Sequence, residues 1–248
     1  MARAGLGVLA LILLAQLAPP AWAEDTTALY EASWSGLPAA EIRMTLHDGA
    51  DGYRYEIAIR SLGLARWVTK FRGTATAIGR MPSPVSFQAH YDLRKRKDRL
   101  LNMQFHAGLA ERGPGDTSRK PQLAEKFRRN VIDPLGAFAA IRRQLREHPD
   151  AGFTIPVYDG ARRFDVVASS PPSRRDGLLH LALSLHAIAG FKGETSDDGD
   201  PDDAPRPVEL ILADDTLLTP LSMTVPIYFL PLTVEFVRWC EAAHPCTW

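Results

Sequence analysis

The sequence has little of what marks the specialised protein classes. Only two of its 248 residues are cysteine, too few for a disulfide framework or a four-thiolate zinc site. Neither charge sign is in excess, since 29 Lys and Arg balance 29 Asp and Glu. The electrostatic footprint of a nucleic-acid binder is therefore missing, as is a long acidic solvating tail. Beyond the N-terminal segment no stretch offers roughly 18 uncharged apolar residues, so no later transmembrane helix is expected. No G-x-S-x-G elbow, Walker loop, G-x-G-x-x-G or H-E-x-x-H occurs, which leaves common hydrolase, nucleotide and zinc-protease chemistry without its usual carriers. The sequence implies no cofactor. At 46% apolar and 23% charged residues the composition is that of an ordinary globular protein.

The first segment is the strongest signal present. Arg3 precedes the apolar run Leu6 to Ala18, Pro19-Pro20 break it, and Ala21-Trp22-Ala23 has the A-x-A form. This is the pattern of a secretory signal peptide, with cleavage expected after Ala23 and a single exported, periplasmic domain over 24–248. In an oxidising compartment Cys240 and Cys246, close together at the C-terminal end, are expected to form a disulfide. His244-Pro245 supplies a turn between them.

Along the rest of the chain the dominant period is two. Ile42, Met44 and Leu46 alternate with polar residues, as do Tyr53, Tyr55, Ile57 and Ile59, and Asp48-Gly49-Ala50-Asp51-Gly52 between them has hairpin-turn composition. Residues 85–93 and 101–105 alternate in the same way. Strands are also expected at 28–35, within 67–79, at 153–158 and 163–168 around Asp159-Gly160, and at 207–213, 218–225 and 227–239. Residues 178–190 are apolar on both faces; a strand is favoured there, with a helix as the alternative. Residues 108–121, 169–177 and 196–207 are expected as polar loops. One main helix is expected at about 134–147: Asp133 is a natural N-cap, Pro134 sits at N1, and Leu135, Phe138, Ala139, Ile141 and Leu145 form an apolar stripe. Arg142, Arg143 and Arg146 are expected near its C-terminus, where the helix dipole favours cations. The predicted fold class is mainly β (α+β), a strongly curved antiparallel sheet or half-barrel with that helix.

Four segments in order resemble a bacterial exported family called domain of unknown function 3108. They are Tyr30–Ala39 (YEASWSGLPA), Asp133–Ala137 (DPLGA), Tyr158–Phe164 (YDGARRF) and Leu212–Asp215 (LADD). The resemblance implies a curved antiparallel β-structure in the cell envelope and carries no reaction with it. The acidic loop 197–203 and the Cys240/Cys246 pair look like additions of this chain.

Candidate site chemistry is sparse. His180 and His186, on one face of a strand, stand ~20 Å apart and cannot share a metal. His90 and His106 fall on strands expected to pair, where two rings can meet across the ladder, although two solvated histidines is the simpler reading. Asp198, Asp200, Asp202 and Glu209 follow EF-hand spacing, but Asp203 stands where that loop needs glycine, so a solvated loop is expected instead of a metal site. The basic run Arg94-Lys95-Arg96-Lys97-Asp98-Arg99 is expected at a hairpin tip. Arg162-Arg163 and Arg174-Arg175 are candidates to extend it into a surface for anionic head groups. A curved sheet leaves a concave face, with Trp34, Trp67, Phe71, Phe87, Tyr91, Met103 and Phe105 as candidates to line it. If the helix fills the concavity these are core; if it closes only one end, an apolar groove remains. The expectation is a soluble, non-enzymatic envelope protein that binds a lipid or amphiphile, or a protein partner, through this sheet. The alternatives are an adaptor role in envelope assembly without a small-molecule site, and a hydrolase with scattered residues.

Overall fold

The structure is a computed structural model that describes residues 26–49, 52–80, 83–93, 96–118, 121–191, 204–227, 230–241 and 244–246. The expected signal peptide and the acidic residues 198–203 lie outside the described residues.

Period-two patterning has produced an almost entirely antiparallel sheet. In chain order its strands are β1 (Thr26–Trp34), β2 (Leu37–Asp48), β3 (Tyr53–Ser61), β4 (Arg72–Arg80), β5 (Ser83–Leu93), β6 (Arg96–His106), β7 (Leu109–Arg112), β8 (Phe153–Tyr158), β9 (Arg163–Ala168), β10 (Ser173–Arg175), β11 (Leu178–Ala189), β12 (Arg206–Ala213), β13 (Pro220–Ile227) and β14 (Leu230–Trp239). The spatial order is β7-β6-β5-β4-β3-β2-β1-β14-β13-β12-β11-β9-β8, with β10 beside β11. Residues 178–189 are thus a strand. Leu179, Leu181 and Leu183 are buried while Ala182 is exposed, the pattern of a one-sided strand.

The two edge strands, β7 and β8, do not pair with each other. Residues 128–132 bridge them. Ala110 N–H donates to the Arg128 carbonyl (3.0 Å) and Asn130 N–H to Gly108 (2.6 Å). On the other side Ile132 N–H donates to Pro156 and Tyr158 N–H to Ile132, both at 2.9 Å. Asn130 takes φ of 51°, a left-handed conformation that asparagine tolerates better than most residues. The curvature expected from the sequence therefore runs almost to closure, giving a barrel-like sheet sealed by one irregular segment. Closure removes the exposed strand edges that invite aggregation.

The helix α2 (Pro134–Glu147) begins immediately after this seal. The Asp133 carboxylate accepts from Leu135 N–H at 3.0 Å and Gly136 N–H at 2.8 Å, the N-cap predicted from the sequence. Ala137, Ile141 and Leu145 pack with Ile155, Val157, Leu179, Leu181, Leu210 and Leu212. Ala139, with Leu135 and Phe138, joins a second cluster that contains Tyr53, Tyr55, Phe87 and Met103.

Three local expectations are corrected. The stretch 67–79 is not β throughout: a short helix α1 (Gly63–Val68) precedes β4. Gly63 takes φ of 49°, and a Cβ there would meet the Pro38 carbonyl oxygen at 2.7 Å. The chain therefore leaves β3 in a turn that a strand cannot continue. The loop expected at 108–121 contains β7, and that at 169–177 contains β10. Both are short, with four and three residues, and lie at the edge of the sheet or beside it.

Candidate functional site

The sheet has two ends. The β2–β3, β4–β5 and β12–β13 connections lie at one, together with α2; the β1–β2 turn, α1 and the β5–β6 connection lie at the other. At the α2 end the helix is fixed by a buried polar centre. The Arg142 side chain is 1% exposed and forms an ion pair with Asp48 Oδ2 at 2.7 Å. Its Nη1 donates to the Tyr55 hydroxyl (2.5 Å), and its Nε (2.8 Å) and Nη2 donate to the Leu217 carbonyl. Tyr55 in turn donates to Asp48 Oδ1 at 2.6 Å. Burial pushes the Tyr55 phenol well above its ordinary pKa, so it stays protonated as this donor. The sequence reading gave Arg142 a dipole role near the helix C-terminus; in the structure only Arg146 of the three arginines lies in the last turn, and Arg142 points from α2 into the barrel rather than to solvent.

Because α2 covers only one end, burial falls along the inner wall. On β3, Tyr53 and Tyr55 are buried while Ile57 and Ile59 are half-buried. On β4, Ala77 is buried and Ala75 half-buried. On β5, Phe87 is buried while Ala89 and Tyr91 are half-buried. Leu232, Val234 and Phe236 of β14 pack half-buried beside Tyr30 and Ile42. On β1 Ala28, Tyr30 and Ala32 are buried while Trp34, at the α1 end, is exposed, and on β12 Val208, Leu210 and Leu212 are buried. The apolar inner wall thus continues beyond the helix toward the α1 end.

The seven candidate lining residues are divided by this arrangement. Phe87, Met103 and Phe105 are core residues at the α2 end. Tyr91 and Phe71 lie half-buried toward the α1 end. Trp34 (45% exposed) and Trp67 (78%) stand on the rim. Sequence reasoning missed Ile57, Ile59, Val234 and Phe236 as wall residues. Their alternation was visible, but no periodicity reports which part of a wall a helix covers.

The α1 rim has a chemistry of its own. α1 rests on β2, with Leu62 N–H donating to the Ala39 carbonyl at 2.8 Å. This brings it beside the β1–β2 turn. Leu64 is 70% exposed and Leu37 59%. Arg60, Arg66, Lys70 and Arg72 surround a surface depression of about 450 Å³ with Leu62 and Phe71. At the other end, a cleft of about 470 Å³ beside the seal is lined by Phe105, Val131, Ile132, Ala140 and Ile155.

The histidines do not form a site. In the β5–β6 register His90 faces Leu100, and across β6–β7 His106 faces Leu109, so the two rings do not meet. His90 Nε2 lies 2.7 Å from Asp98 Oδ1. His186 bonds the Ser184 hydroxyl at 2.8 Å. Among the described residues no group of three or more His, Cys, Asp or Glu is placed to hold a metal ion. Arg174 and Arg175 lie on β10, at the α2 end, opposite to the end at which β5 finishes and β6 starts; Arg162 is paired with Asp159 and Arg163 with Asp165. The Cys240–Cys246 disulfide is formed, with Cα atoms 5.3 Å apart. Its loop is tied to the barrel by Arg43, which donates to the Cys246 carbonyl at 3.1 Å. No helix among the described residues is long and apolar enough to cross a membrane.

The comparisons with known proteins concern fold and family. No curated protein matches the chain significantly. The crystal structure of the beta-barrel-like protein of domain of unknown function DUF1849 from Brucella abortus is similar in fold, with a TM-score of 0.55 at 10% sequence identity, over 87% of this chain and 96% of that one. Residues 29–170, from β1 through the seal and α2 to the end of β9, match the family described as protein of unknown function (DUF3108), and the chain belongs to that family.

Proposed function

We propose that the protein is a non-enzymatic, exported component of the cell envelope that binds an amphiphilic ligand on the inner wall beyond α2. The observation that carries this reading is the fall in burial along that wall on β3, where Ile57 and Ile59 are half-buried while Tyr53 and Tyr55 beneath α2 are buried, with Val234 and Phe236 of β14 half-buried as well. An apolar wall of this kind favours an acyl or similar chain through the hydrophobic effect. The N-terminal leader pattern and the Cys240–Cys246 disulfide support export to an oxidising compartment. The buried ionisable groups support a binding role over a catalytic one. Arg142 and Asp48 hold α2 in place, and Asp133 caps it.

An environment-sensitive apolar dye tests this. The dye should bind the wild-type protein and brighten, and Ile59→Glu should weaken its binding at least about tenfold by placing a charge on the wall. Dye binding unchanged in Ile59→Glu contradicts the proposal.

A further inference from the structure

We infer that the α1 rim is a docking surface for an anionic phospholipid bilayer. The inference goes beyond ligand binding on the inner wall and rests on different residues. Three observations converge on this rim. First, the segment from Arg60 to Arg72 contains four cations, Arg60, Arg66, Lys70 and Arg72, and no acidic residue. Second, these four side chains surround one depression of about 450 Å³, large enough to receive a phosphate head group. Third, the same end exposes large apolar side chains: Trp67 and Leu64 on α1, and Trp34 and Leu37 where β1 ends and β2, the strand that α1 packs against, begins.

Cations and apolar groups together select the partner. A neutral apolar partner leaves the exposed charges of Arg66 and Lys70 unmatched, and a free anion leaves the exposed side chains of Trp67 and Leu64 uncovered. The interface of an anionic bilayer satisfies both. Lys and Arg near such a surface are attracted to its negative potential, and tryptophan favours the head-group layer. The nearby acids do not cancel the patch. Glu41 is bonded to Arg60 at 2.8 Å, and Asp92 faces Arg72 across β4 and β5; Arg66 and Lys70, on and just after α1, are both exposed. Arg99, near the start of β6, lies at this same end, while Arg94 and Lys95 of the basic run lie outside the described residues. Contact is through side chains at the tip of a barrel, so it is peripheral and reversible.

Co-sedimentation of the full exported protein with vesicles tests the inference. One vesicle set contains phosphatidylcholine alone and a second contains phosphatidylcholine with phosphatidylglycerol. Binding is expected to the second set and to weaken with added salt. Arg66→Glu with Lys70→Glu should lower it by at least about tenfold, and Leu64→Ala with Trp67→Ala by a similar factor. Arg54→Glu, an exposed charge reversal toward the α2 end, should bind as the wild type does, which shows that the loss depends on where the charge is reversed. Circular dichroism of each variant checks that the fold is retained. Equal binding to both vesicle sets, no binding to either, or binding that survives both double substitutions overturns the inference. A protein that takes up the apolar dye but ignores both vesicle sets also overturns it and leaves the ligand reading standing.

Discussion

Asp133 and Gly136 show how tightly single residues are constrained where the barrel is sealed. A Cβ on Gly136 would lie 2.4 Å from the Tyr53 hydroxyl and 2.7 Å from both Asp133 Oδ2 and Ile132 Cγ1. Alanine ordinarily stabilises a helix interior by about 1 kcal/mol over glycine. Here overpacking wins, and Gly136→Ala should destabilise by about 1–3 kcal/mol in urea unfolding. Asp133 is buried beside it and caps α2 with one oxygen, while Oδ2 has no hydrogen-bond partner. Burial, partly offset by its backbone hydrogen bonds, raises its pKa from 3.8 to about 6. The folded state therefore holds this proton in a window, from about pH 4 to 6, where the unfolded chain has released it. The contribution of Asp133 to stability is full below that window and is lost as pH rises through it, by on the order of 3 kcal/mol. Asp133→Asn keeps the capping oxygen and has no charge to bury. Its stability relative to the wild type should rise between pH 4 and 6 and level off above; a difference that stays flat across the window contradicts the assignment.

Among the elements, α2 was the most legible in the sequence and α1 the least. Asp133 and Pro134 marked the start of α2, the apolar stripe its course and Pro149 its end, because caps, periodicity and proline breaks are local signals. The partners of Arg142 were not legible. Asp48, Tyr55 and Leu217 are distant in sequence, and only the closed sheet brings them to one guanidinium. Arg142→Ala leaves Asp48 and the Leu217 carbonyl without their buried partner and should cost about 3–5 kcal/mol in chemical denaturation, with Arg142→Met milder because it keeps the packing. A cost of under about 1 kcal/mol for Arg142→Ala would show that this polar centre does not hold the helix. The last two residues of α1, Trp67 and Val68, read as the start of a β-rich stretch over 67–79, because β-branched and aromatic residues are those that strands favour. Gly63 decides otherwise through its left-handed conformation and its approach to Pro38. The strands themselves were legible wherever one face is buried. Strands β7 and β10, with three or four residues each, carry too few alternations to be seen.

At the scale of the molecule, one main helix, α2, serves a large barrel-like sheet, and this asymmetry organises everything else. The seal at 128–132 closes the sheet and delivers the chain into α2. α2 fills one end, and the apolar wall runs on to the other, where α1 sets a rim of exposed apolar and cationic side chains. The sequence made a curved antiparallel sheet legible, because alternation reports which face is buried. It did not divide Phe87, Met103 and Phe105, which are core, from Tyr91 and Phe71, which lie beyond the helix, since that division depends on where α2 comes to rest. The central claim, that the wall beyond α2 holds an amphiphilic guest, is tested most directly by native mass spectrometry of protein purified without detergent from cells that export it. The account predicts a reproducible mass excess that disappears on organic extraction. The bare mass of the chain, two hydrogens light for the Cys240–Cys246 bridge and unchanged by extraction, would contradict it.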